Sequence, residues 1–145
     1  MKVMKQCVRI QADIERVFEY ASDWRHWHEW FHGFSDCHPT TKIQRSTGAR
    51  YQYKVRVMGL PATVETEIHD FTENHGWTGI GTKGLPHKTH WLFEPTDDGT
   101  LFTYTVEGHV PILLIGRLLE ALILEPEWNK ILDRSLNNIK EKLES

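Results

Sequence analysis

Residues 51–57 read YQYKVRV, so that tyrosines and valines alternate with glutamine, lysine and arginine. Residues 64–69, VETEIH, and residues 102–107, FTYTVE, alternate in the same way. Successive side chains of a β-strand point to opposite faces, so each segment would have one mainly apolar face and one polar face. This pattern predicts an antiparallel sheet that is solvated on one face and covered by other elements on the opposite face.

The strand-like pattern extends from about residue 34 to about residue 109 and is divided by turn sequences such as residues 74–76 and 97–99. This length accommodates about six strands. A further strand is predicted over residues 3–10, where Met4, Val8 and Ile10 are separated by even numbers of positions. The sequence therefore predicts a sheet of about seven strands.

Two short helices are predicted between the first strand and the rest of the sheet. The apolar residues of the first helix have the i, i+3, i+4, i+7 spacing of an amphipathic helix: Ile14, Val17, Phe18 and Ala21. The second helical segment covers residues 23–31 and would place Trp24, Trp27 and Phe31 on one face, with Gly33 ending it.

A long amphipathic helix is predicted from residue 127 to residue 143, after Pro126. It would be about 25 Å long. One face collects the apolar side chains and one serine: Trp128, Ile131, Leu132, Ser135, Leu136, Ile139 and Leu143. A single helix fills the concave face of a curved sheet only in part, unless large sheet side chains reach inward. This architecture therefore predicts a cavity between the sheet and the helix.

Residues 112–124 are apolar around almost the whole circumference of a helix, which one buried face does not require. Leu118 and Leu122 are predicted to face the cavity and core. The other apolar side chains, such as Leu114 and Ile123, would contact a ligand, a second copy of the chain or a membrane surface. We therefore predict a lid that supports a homodimer or a peripheral membrane contact, with complete burial in the domain as the alternative.

The composition excludes several classes of protein. The length of 145 residues predicts a single domain over residues 1–145 that folds without disulfides. Its 17 basic and 20 acidic residues give a net charge of −3, which argues against nucleic acid as a partner. Cys7 and Cys37 are too few for a disulfide framework, although they could lie on neighbouring strands. Without a signal peptide or a membrane span, a cytoplasmic location is predicted.

No motif predicts a metal, a cofactor or a catalytic nucleophile. His28 and His32 have the i, i+4 spacing of two metal ligands, with His26 nearby, but no further ligand motif accompanies them. Residues 79–84, GIGTKG, lack the strand-to-helix context of a phosphate-binding loop. Neither cysteine belongs to a known catalytic pattern. We therefore predict no metal site, no cofactor and no catalytic residue.

The alternation also predicts which polar side chains point toward the covered face: Tyr51, Tyr53, Thr66, Thr89 and Tyr104. Acid–base catalysis needs a titratable group beside the substrate, and this set contains no carboxylate and no histidine. Tyrosine without a partner is a weak acid. These groups are therefore predicted to be hydrogen-bond partners for a mostly apolar ligand.

The predicted ligand-binding residues are mainly aromatic and come from the strands, the second short helix, residues 112–124 and the C-terminal helix. They are Trp27, Trp30, Tyr51, Tyr53, Val55, Thr66, Trp77, Trp91, Phe93, Tyr104, Leu118, Leu122, Trp128 and Leu132. Each aromatic residue could instead simply pack in the core. The alternation does not decide whether Trp77 points to the covered face, because Thr78 and Ile80 on the opposite face of the same strand form an alternative inward set.

Four segments carry packing motifs that are found together in one superfamily. Residues 10–18, IQADIERVF, contain the pattern I-x-A-x-x-x-x-V-F, and residues 23–30, DWRHWHEW, contain D-x-x-x-W-x-x-W. Residues 91–100, WLFEPTDDGT, resemble its penultimate hairpin, and residues 132–140, LDRSLNNIK, resemble its C-terminal helix. The sequence thus resembles the START-like superfamily, also called SRPBCC, and within it the polyketide cyclase/dehydrase-like group.

The resemblance implies an α+β helix-grip fold of the birch-pollen-allergen type. In this fold, a curved antiparallel sheet of about seven strands wraps around a long C-terminal helix, with two short helices after the first strand. The resemblance also implies a lipophilic ligand such as a lipid, polyketide, quinone or sterol. It names no reaction, because the matching motifs are packing motifs.

Three functions follow as hypotheses. Binding or carriage of a small hydrophobic molecule, which we favour, predicts a chemically inert cavity. A polyketide cyclase or dehydratase acting in the same cavity predicts a buried ionisable pair. A module that binds a protein partner through its sheet predicts a small cavity and a large exposed apolar patch. The sequence does not identify the ligand, the pathway or the oligomeric state.

Overall fold

Seven β-strands form one antiparallel sheet in the computed structural model, which describes residues 2–57, 60–84, 86–108 and 125–145. The strands are β1 (Lys2–Ile10), β2 (Phe34–Pro39), β3 (Arg50–Val57), β4 (Leu60–Thr72), β5 (Gly76–Lys83), β6 (His87–Thr96) and β7 (Gly99–Gly108). Their order across the sheet is β1-β7-β6-β5-β4-β3-β2. The predicted seven-stranded antiparallel sheet and helix-grip fold are confirmed.

The sheet is curled into a half-barrel. The pairing of β4 with β5 shifts register between Glu65 and Thr66 and again between His69 and Thr72. Asp70, in the second shift, has a φ of 54°. A further shift interrupts the pairing of β2 with β3. Because an extra residue bends a strand and increases its twist, these shifts contribute to the curl of the sheet.

Two short helices and a 3₁₀ turn connect β1 to β2, as the sequence predicted. They are α1 (Ile14–Ala21), the 3₁₀ turn (Trp24–His26) and α2 (Trp27–Trp30). Val17, Phe18 and Ala21 of α1 are buried, as expected from their spacing.

The predicted inner face of the second helical segment needs one correction. Trp24 is only half-buried, and its indole Nε1 donates a hydrogen bond to Gln44 Oε1 at 2.8 Å. Trp30, rather than Trp24, joins Trp27 and Phe31 in the core. A 3₁₀-helix has three residues per turn instead of the 3.6 of an α-helix. The side chains of this segment therefore do not point in the directions that one continuous α-helix would give them.

The C-terminal helix α3 (Glu125–Glu144) lies along β1. Gln6 Nε2 donates to the backbone oxygen of Asn129 at 3.1 Å, and Lys140 Nζ donates to the backbone oxygen of Arg9 at 2.7 Å. The predicted inner face is confirmed, with Trp128 half-buried and the other members buried: Ile131, Leu132, Ser135, Leu136, Ile139 and Leu143. Pro126 lies in the first turn, where a helix tolerates proline.

Ser135 is the polar residue of that inner face. Its Oγ donates to the backbone oxygen of Ile131 at 2.6 Å and accepts from the backbone N–H of His32 at 2.8 Å. Asn138 Nδ2 donates to the backbone oxygen of Trp30 at 3.1 Å. These bonds satisfy backbone groups at the end of α2 and hold that short helix against α3.

Aromatic rings fill the part of the concave face under α1 and α2. The ring of Trp91 lies at centroid distances of 4.5 Å from Trp77, 5.7 Å from Trp27, 5.6 Å from Trp30 and 5.2 Å from Tyr104. These separations are typical of favourable aromatic pairs. Large sheet side chains therefore fill space that one helix leaves open.

Three further expectations can be compared with the described residues. Cys7 on β1 and Cys37 on β2 are free and lie at opposite edges of the sheet, so they are not on neighbouring strands. Residues 112–124, including the predicted contacts Leu118 and Leu122, lie outside the described residues. In the described part of the chain, no helix is long and apolar enough to cross a membrane.

Replacing Leu136 by alanine tests whether α3 holds the fold together. Leu136 is 3% exposed, so the substitution is expected to lower the free energy of unfolding by about 2–5 kcal/mol. Asn137 is the matched control on the exposed side of the same helix, and its alanine variant should change stability by less than about 0.5 kcal/mol. Urea denaturation followed by circular dichroism measures both. Equal stabilities of the two variants would contradict the core assignment.

Candidate functional site

The concave face of the sheet is fully buried at one end and less buried at the other. Phe93 on β6 and Phe102 on β7 are 1% and 0% exposed, whereas Thr89 and Tyr104, on the same strands and the same face, are 7% and 6% exposed. Both strands have a neighbour on each side. Their remaining exposure therefore arises on the concave face, and it marks the end near the β5–β6 connection as the candidate site.

Two glycines of β5 form the floor of this site. A Cβ atom on Gly79 would lie 2.6 Å from Thr89 Oγ1 and 2.8 Å from Thr66 Cγ2. A Cβ atom on Gly81 would lie 2.7 Å from Nδ1 of His87. The side chains of Thr66, Thr89 and His87 thus lie over a strand that has no side chain at these two inward positions. A larger residue at either position would displace them.

A chain of three hydrogen-bonding side chains crosses the floor. Tyr53 Oη and Thr66 Oγ1 are 2.7 Å apart. Thr66 Oγ1 and His87 Nε2 are also 2.7 Å apart, and Tyr53 Oη lies 3.5 Å from the same nitrogen. Tyr53 comes from β3, Thr66 from β4 and His87 from β6, so the curl of the sheet brings three strands together at one polar cluster. We call it the Tyr53–Thr66–His87 chain.

Apolar side chains stand on both sides of this chain. Tyr53, Val55 and Val64 form a small cluster that is separate from the main core. Met4 and Val106 of the main core lie on β1 and β7, across the sheet. The two apolar walls and the polar floor together give a surface that suits an amphipathic small molecule.

The surroundings of the site penalise charge. Burial raises the pKa of Tyr53 to about 12, an effect that the hydrogen bond with Thr66 partly offsets. Burial also raises the pKa of Tyr104 well above its usual value, with a smaller contribution from Tyr53. Both hydroxyls are therefore neutral at physiological pH and act as hydrogen-bond donors or acceptors.

The two buried carboxylates of the described residues have partners of their own. Arg25 donates to the carboxylate of Asp23 and lowers its pKa. Glu65 accepts hydrogen bonds from the hydroxyls of Thr82 and Thr40, which lower its pKa. These hydrogen bonds stabilise the charged form of each carboxylate.

The structure brings five of the predicted site residues together around the floor or at its border: Tyr53, Val55, Thr66, Trp91 and Tyr104. Trp91 marks the border, because its Nε1 donates to Thr89 Oγ1 at 3.3 Å while its ring packs on the core. Trp30, Phe93 and Leu132 are each 1% exposed and pack within the core.

The polar atoms of two predicted residues are engaged by the backbone. Trp27 Nε1 donates to the backbone oxygen of Ala21 at 2.7 Å, and Tyr51 Oη accepts from the backbone N–H of Arg45 at 2.9 Å. Trp77 does point inward, which answers the question that its sequence pattern left open. Its ring stacks between those of Trp91 and Phe71, while Trp128 is half-buried beside the core.

His87 is the site residue that the sequence reasoning missed. The inward set was predicted to contain no histidine, but His87 has the same inward phase as Thr89, Trp91 and Phe93 on β6. Extending that alternation two residues back from Thr89 would have found it. The preceding Gly-Leu-Pro turn sequence, residues 84–86, gave no sign of where the strand begins.

Polar groups elsewhere form a separate surface groove of about 360 Å³. It is lined by residues of the helical region: Arg16, Glu19, Tyr20, Asp23, His26, Glu29, Lys142 and Leu143. Tyr20 Oη donates to Glu29 Oε1 at 2.8 Å, and the ring of His26 stacks on that of Tyr20. In the described ranges, no group of three or more His, Cys, Asp or Glu residues could hold a metal ion.

A curled antiparallel sheet of seven strands, closed by one long C-terminal helix and with short helices after the first strand, defines a START-like helix-grip domain. The sequence matches the family model described as "Polyketide cyclase / dehydrase and lipid transport" over residues 1–144. The chain belongs to this family. No curated protein matches the sequence.

Solved structures share the fold at low sequence identity. The protein TTHA0849 from Thermus thermophilus is 18% identical with a TM-score of 0.85, over 98% of this chain and 97% of that one. A START superfamily protein from Mycobacterium smegmatis is 15% identical with a TM-score of 0.75, and the match covers 98% of this chain and 97% of that one. The di-domain ARO/CYC BexL from the BE-7585A biosynthetic pathway is 18% identical with a TM-score of 0.75, and the match covers 99% of this chain and 50% of that one.

The raised pKa of Tyr53 predicts a loss of stability in alkali. Unfolded tyrosine has a pKa of about 10, and the folded value is about 12. Below about pH 10, Tyr53 is neutral in both the folded and the unfolded chain and does not make the free energy of unfolding depend on pH. As the pH rises from about 10 to about 12, Tyr53 ionises in the unfolded chain first, which lowers the free energy of unfolding by about 2–3 kcal/mol.

Urea denaturation of the wild type and of Tyr53→Phe across this range measures the effect. The free energy of unfolding of the wild type should fall more steeply than that of the variant. Between about pH 8 and pH 9.5, Tyr53 of the wild type remains neutral in the folded and the unfolded state. In this range, the free energies of unfolding of the two proteins should change with pH in parallel. Parallel curves up to about pH 12 would contradict the burial of this hydroxyl.

Proposed function

We propose that this protein binds a small, mostly apolar molecule on the concave face of its sheet, with a polar group of the ligand at the Tyr53–Thr66–His87 chain. The observation that carries the proposal is the position of this chain, on a floor without side chains and between two apolar walls. The family and the fold are compatible with binding of a hydrophobic ligand or with a polyketide cyclase role.

The packing supports a binding role for this end of the interior. Protein cores are packed as densely as organic crystals, so two successive inward glycines in a central strand leave space that neighbouring side chains must fill. Thr66 and Thr89 extend over Gly79, yet both remain 7% exposed. Thr66 and Thr89 thus cover the floor without being as deeply buried as Phe93 and Phe102, which supports a binding role for this end.

The size of such a ligand limits its affinity. Burying about 300 Å² of apolar ligand surface at about 25 cal/mol/Å² gives roughly 7–8 kcal/mol before the costs of association. Those costs remove several kcal/mol. Micromolar or weaker binding is therefore expected for a generic apolar probe.

Filling the floor tests the proposed function. We expect naphthalene to bind the wild type and to change tryptophan fluorescence, because Trp91 borders the site. Gly79→Ala places a methyl group against Thr66 and Thr89 and should weaken naphthalene binding by about five-fold or more. Thermal denaturation shows whether this variant is folded.

Ile80→Val is the matched control, on the exposed face of the same strand. It should bind naphthalene like the wild type. If the wild type binds neither naphthalene nor any member of a panel of fatty acids, sterols, quinones and flavonoids, the proposed function is wrong. Native mass spectrometry of freshly purified protein provides an independent measurement, with a co-purifying lipid-like mass as the expected result.

His87 favours a second candidate function, a cyclase or dehydratase acting in the same site. Imidazole exchanges protons near neutral pH, and His87 is linked through Thr66 to the hydroxyl of Tyr53. Such a group could remove a proton from the carbon beside a bound carbonyl. This chemistry was not expected from the sequence, because the inward set was predicted to contain no histidine.

Proton exchange separates this candidate from simple binding. The methyl protons of 2-acetonaphthone exchange with D₂O when a base removes one of them and a deuteron returns, and proton NMR measures the loss of signal. An enzyme of this type should accelerate the exchange at least ten-fold more than His87→Gln, which keeps polar contacts but has no titratable ring. Equal rates for the two proteins would exclude catalysis by His87 and would leave the binding function intact.

A further inference from the structure

The Tyr53–Thr66–His87 chain restricts the chemistry of the ligand that the site accepts. We propose that the polar group of the ligand is one neutral oxygen, either a carbonyl or a hydroxyl, which binds at the hydroxyl of Tyr53; this inference rests on the proposed binding function. Reversal of the hydrogen-bond direction along the chain allows the same hydroxyl to receive either group.

The chain has two possible directions, because Thr66 Oγ1 carries a single proton and lies 2.7 Å from each of its two partners. In the first, His87 Nε2–H donates to Thr66 and Thr66 donates to Tyr53. The Tyr53 O–H is then free to donate to a carbonyl oxygen of the ligand. The tautomer of His87 with its proton on Nε2 selects this direction.

In the second direction, the proton of His87 is on Nδ1 and Nε2 accepts. Thr66 donates to His87, and Tyr53 donates to Thr66. The oxygen of Tyr53 is then an acceptor for a ligand hydroxyl. Neither direction moves a net charge into the site, so a neutral ligand of either kind can bind without ionising a buried group.

The position of Tyr53 supports its role as the end that meets the ligand. Its ring stacks on that of Phe34 at a centroid distance of 4.1 Å and an interplanar angle of 18°, which fixes the direction of the hydroxyl. Tyr53 also belongs to the apolar wall formed with Val55 and Val64. A ligand that packs on this wall therefore has its polar group beside the Tyr53 hydroxyl.

The low polarity of the surroundings supports a neutral rather than an anionic group. Burial raises the pKa values of Tyr53 and Tyr104, which means that a negative charge on either phenol is penalised. A ligand carboxylate placed among the same apolar side chains would lose hydration in the same way. Fatty acids and acidic phospholipids are therefore expected to bind less well than ketones, phenols or alcohols of similar size.

A series of naphthalene derivatives tests this inference, with isothermal titration calorimetry at pH 7.5 as the measurement. Naphthalene is the apolar parent, 2-acetonaphthone adds a carbonyl, 2-naphthol adds a hydroxyl and 2-naphthoate adds an anion. We expect the ketone and the phenol each to bind about three- to ten-fold more tightly than naphthalene. The carboxylate should bind more weakly than naphthalene.

Two tyrosines of β3 provide a matched pair of variants, since both point to the concave face. Tyr53→Phe should reduce the affinities for the ketone and the phenol to that for naphthalene. Tyr51→Phe should keep the wild-type preference, because the hydroxyl of Tyr51 is bonded to the backbone N–H of Arg45 instead. Thr66→Val, which keeps the side-chain shape but interrupts the chain, should lower the preference in part if Tyr53→Phe does not fold.

The possible outcomes distinguish this inference from the proposed function. If naphthalene binds but 2-naphthoate binds as tightly as 2-naphthol, a cationic group recognises the ligand and the inference is wrong. If Tyr53→Phe folds and keeps the preference for the ketone and the phenol, the chain does not contact the ligand and the inference is also wrong. If neither this series nor the panel of fatty acids, sterols, quinones and flavonoids binds, the proposed function itself fails.

Discussion

The packing around Trp91 divides the concave face of the sheet into an aromatic end and a polar end. Its ring lies against those of Trp27 in α2, Trp77 in β5 and Phe102 in β7, and these contacts close one end of the concave face. Its Nε1 faces the other way and donates to Thr89 at the edge of the polar floor. One side chain thus separates a dense aromatic core from an end that carries hydroxyl groups and an imidazole.

The absence of side chains on Gly79 and Gly81 explains both a feature of the site and an ambiguity in the sequence. Trp77, Gly79 and Gly81 share the inward phase of β5, but glycine contributes nothing to an apolar pattern. Thr78 and Ile80 therefore compete as an apparent inward stripe. The same two glycines allow side chains from β4 and β6 to reach across β5, so the weak pattern in the sequence and the polar floor have one physical cause.

The sequence predicted the fold more completely than the site. Alternation and helical spacing depend on neighbours along the chain, and they correctly predicted a sheet of about seven strands, the inward tyrosines and the inner face of α3. The site depends on contacts between strands. The 2.7 Å contact between Thr66 and His87 joins residues 21 positions apart, and no local pattern specifies it. The division of the aromatic residues into core and border residues, as between Phe93 and Trp91, likewise depends on packing across the sheet.

The two ends of the interior have different consequences for stability and for binding. At the aromatic end, Phe93, Phe102 and Leu132 are at most 1% exposed, so removing them would leave cavities or break close contacts. At the polar end, Thr66 hydrogen-bonds with both Tyr53 and His87, and replacing a hydrogen-bonded pair by apolar groups of similar shape can be nearly neutral for folding. Since α3 and the aromatic rings hold the sheet closed, substitutions of the hydrogen-bonded side chains at the polar end are expected to cost less stability than substitutions at the aromatic end.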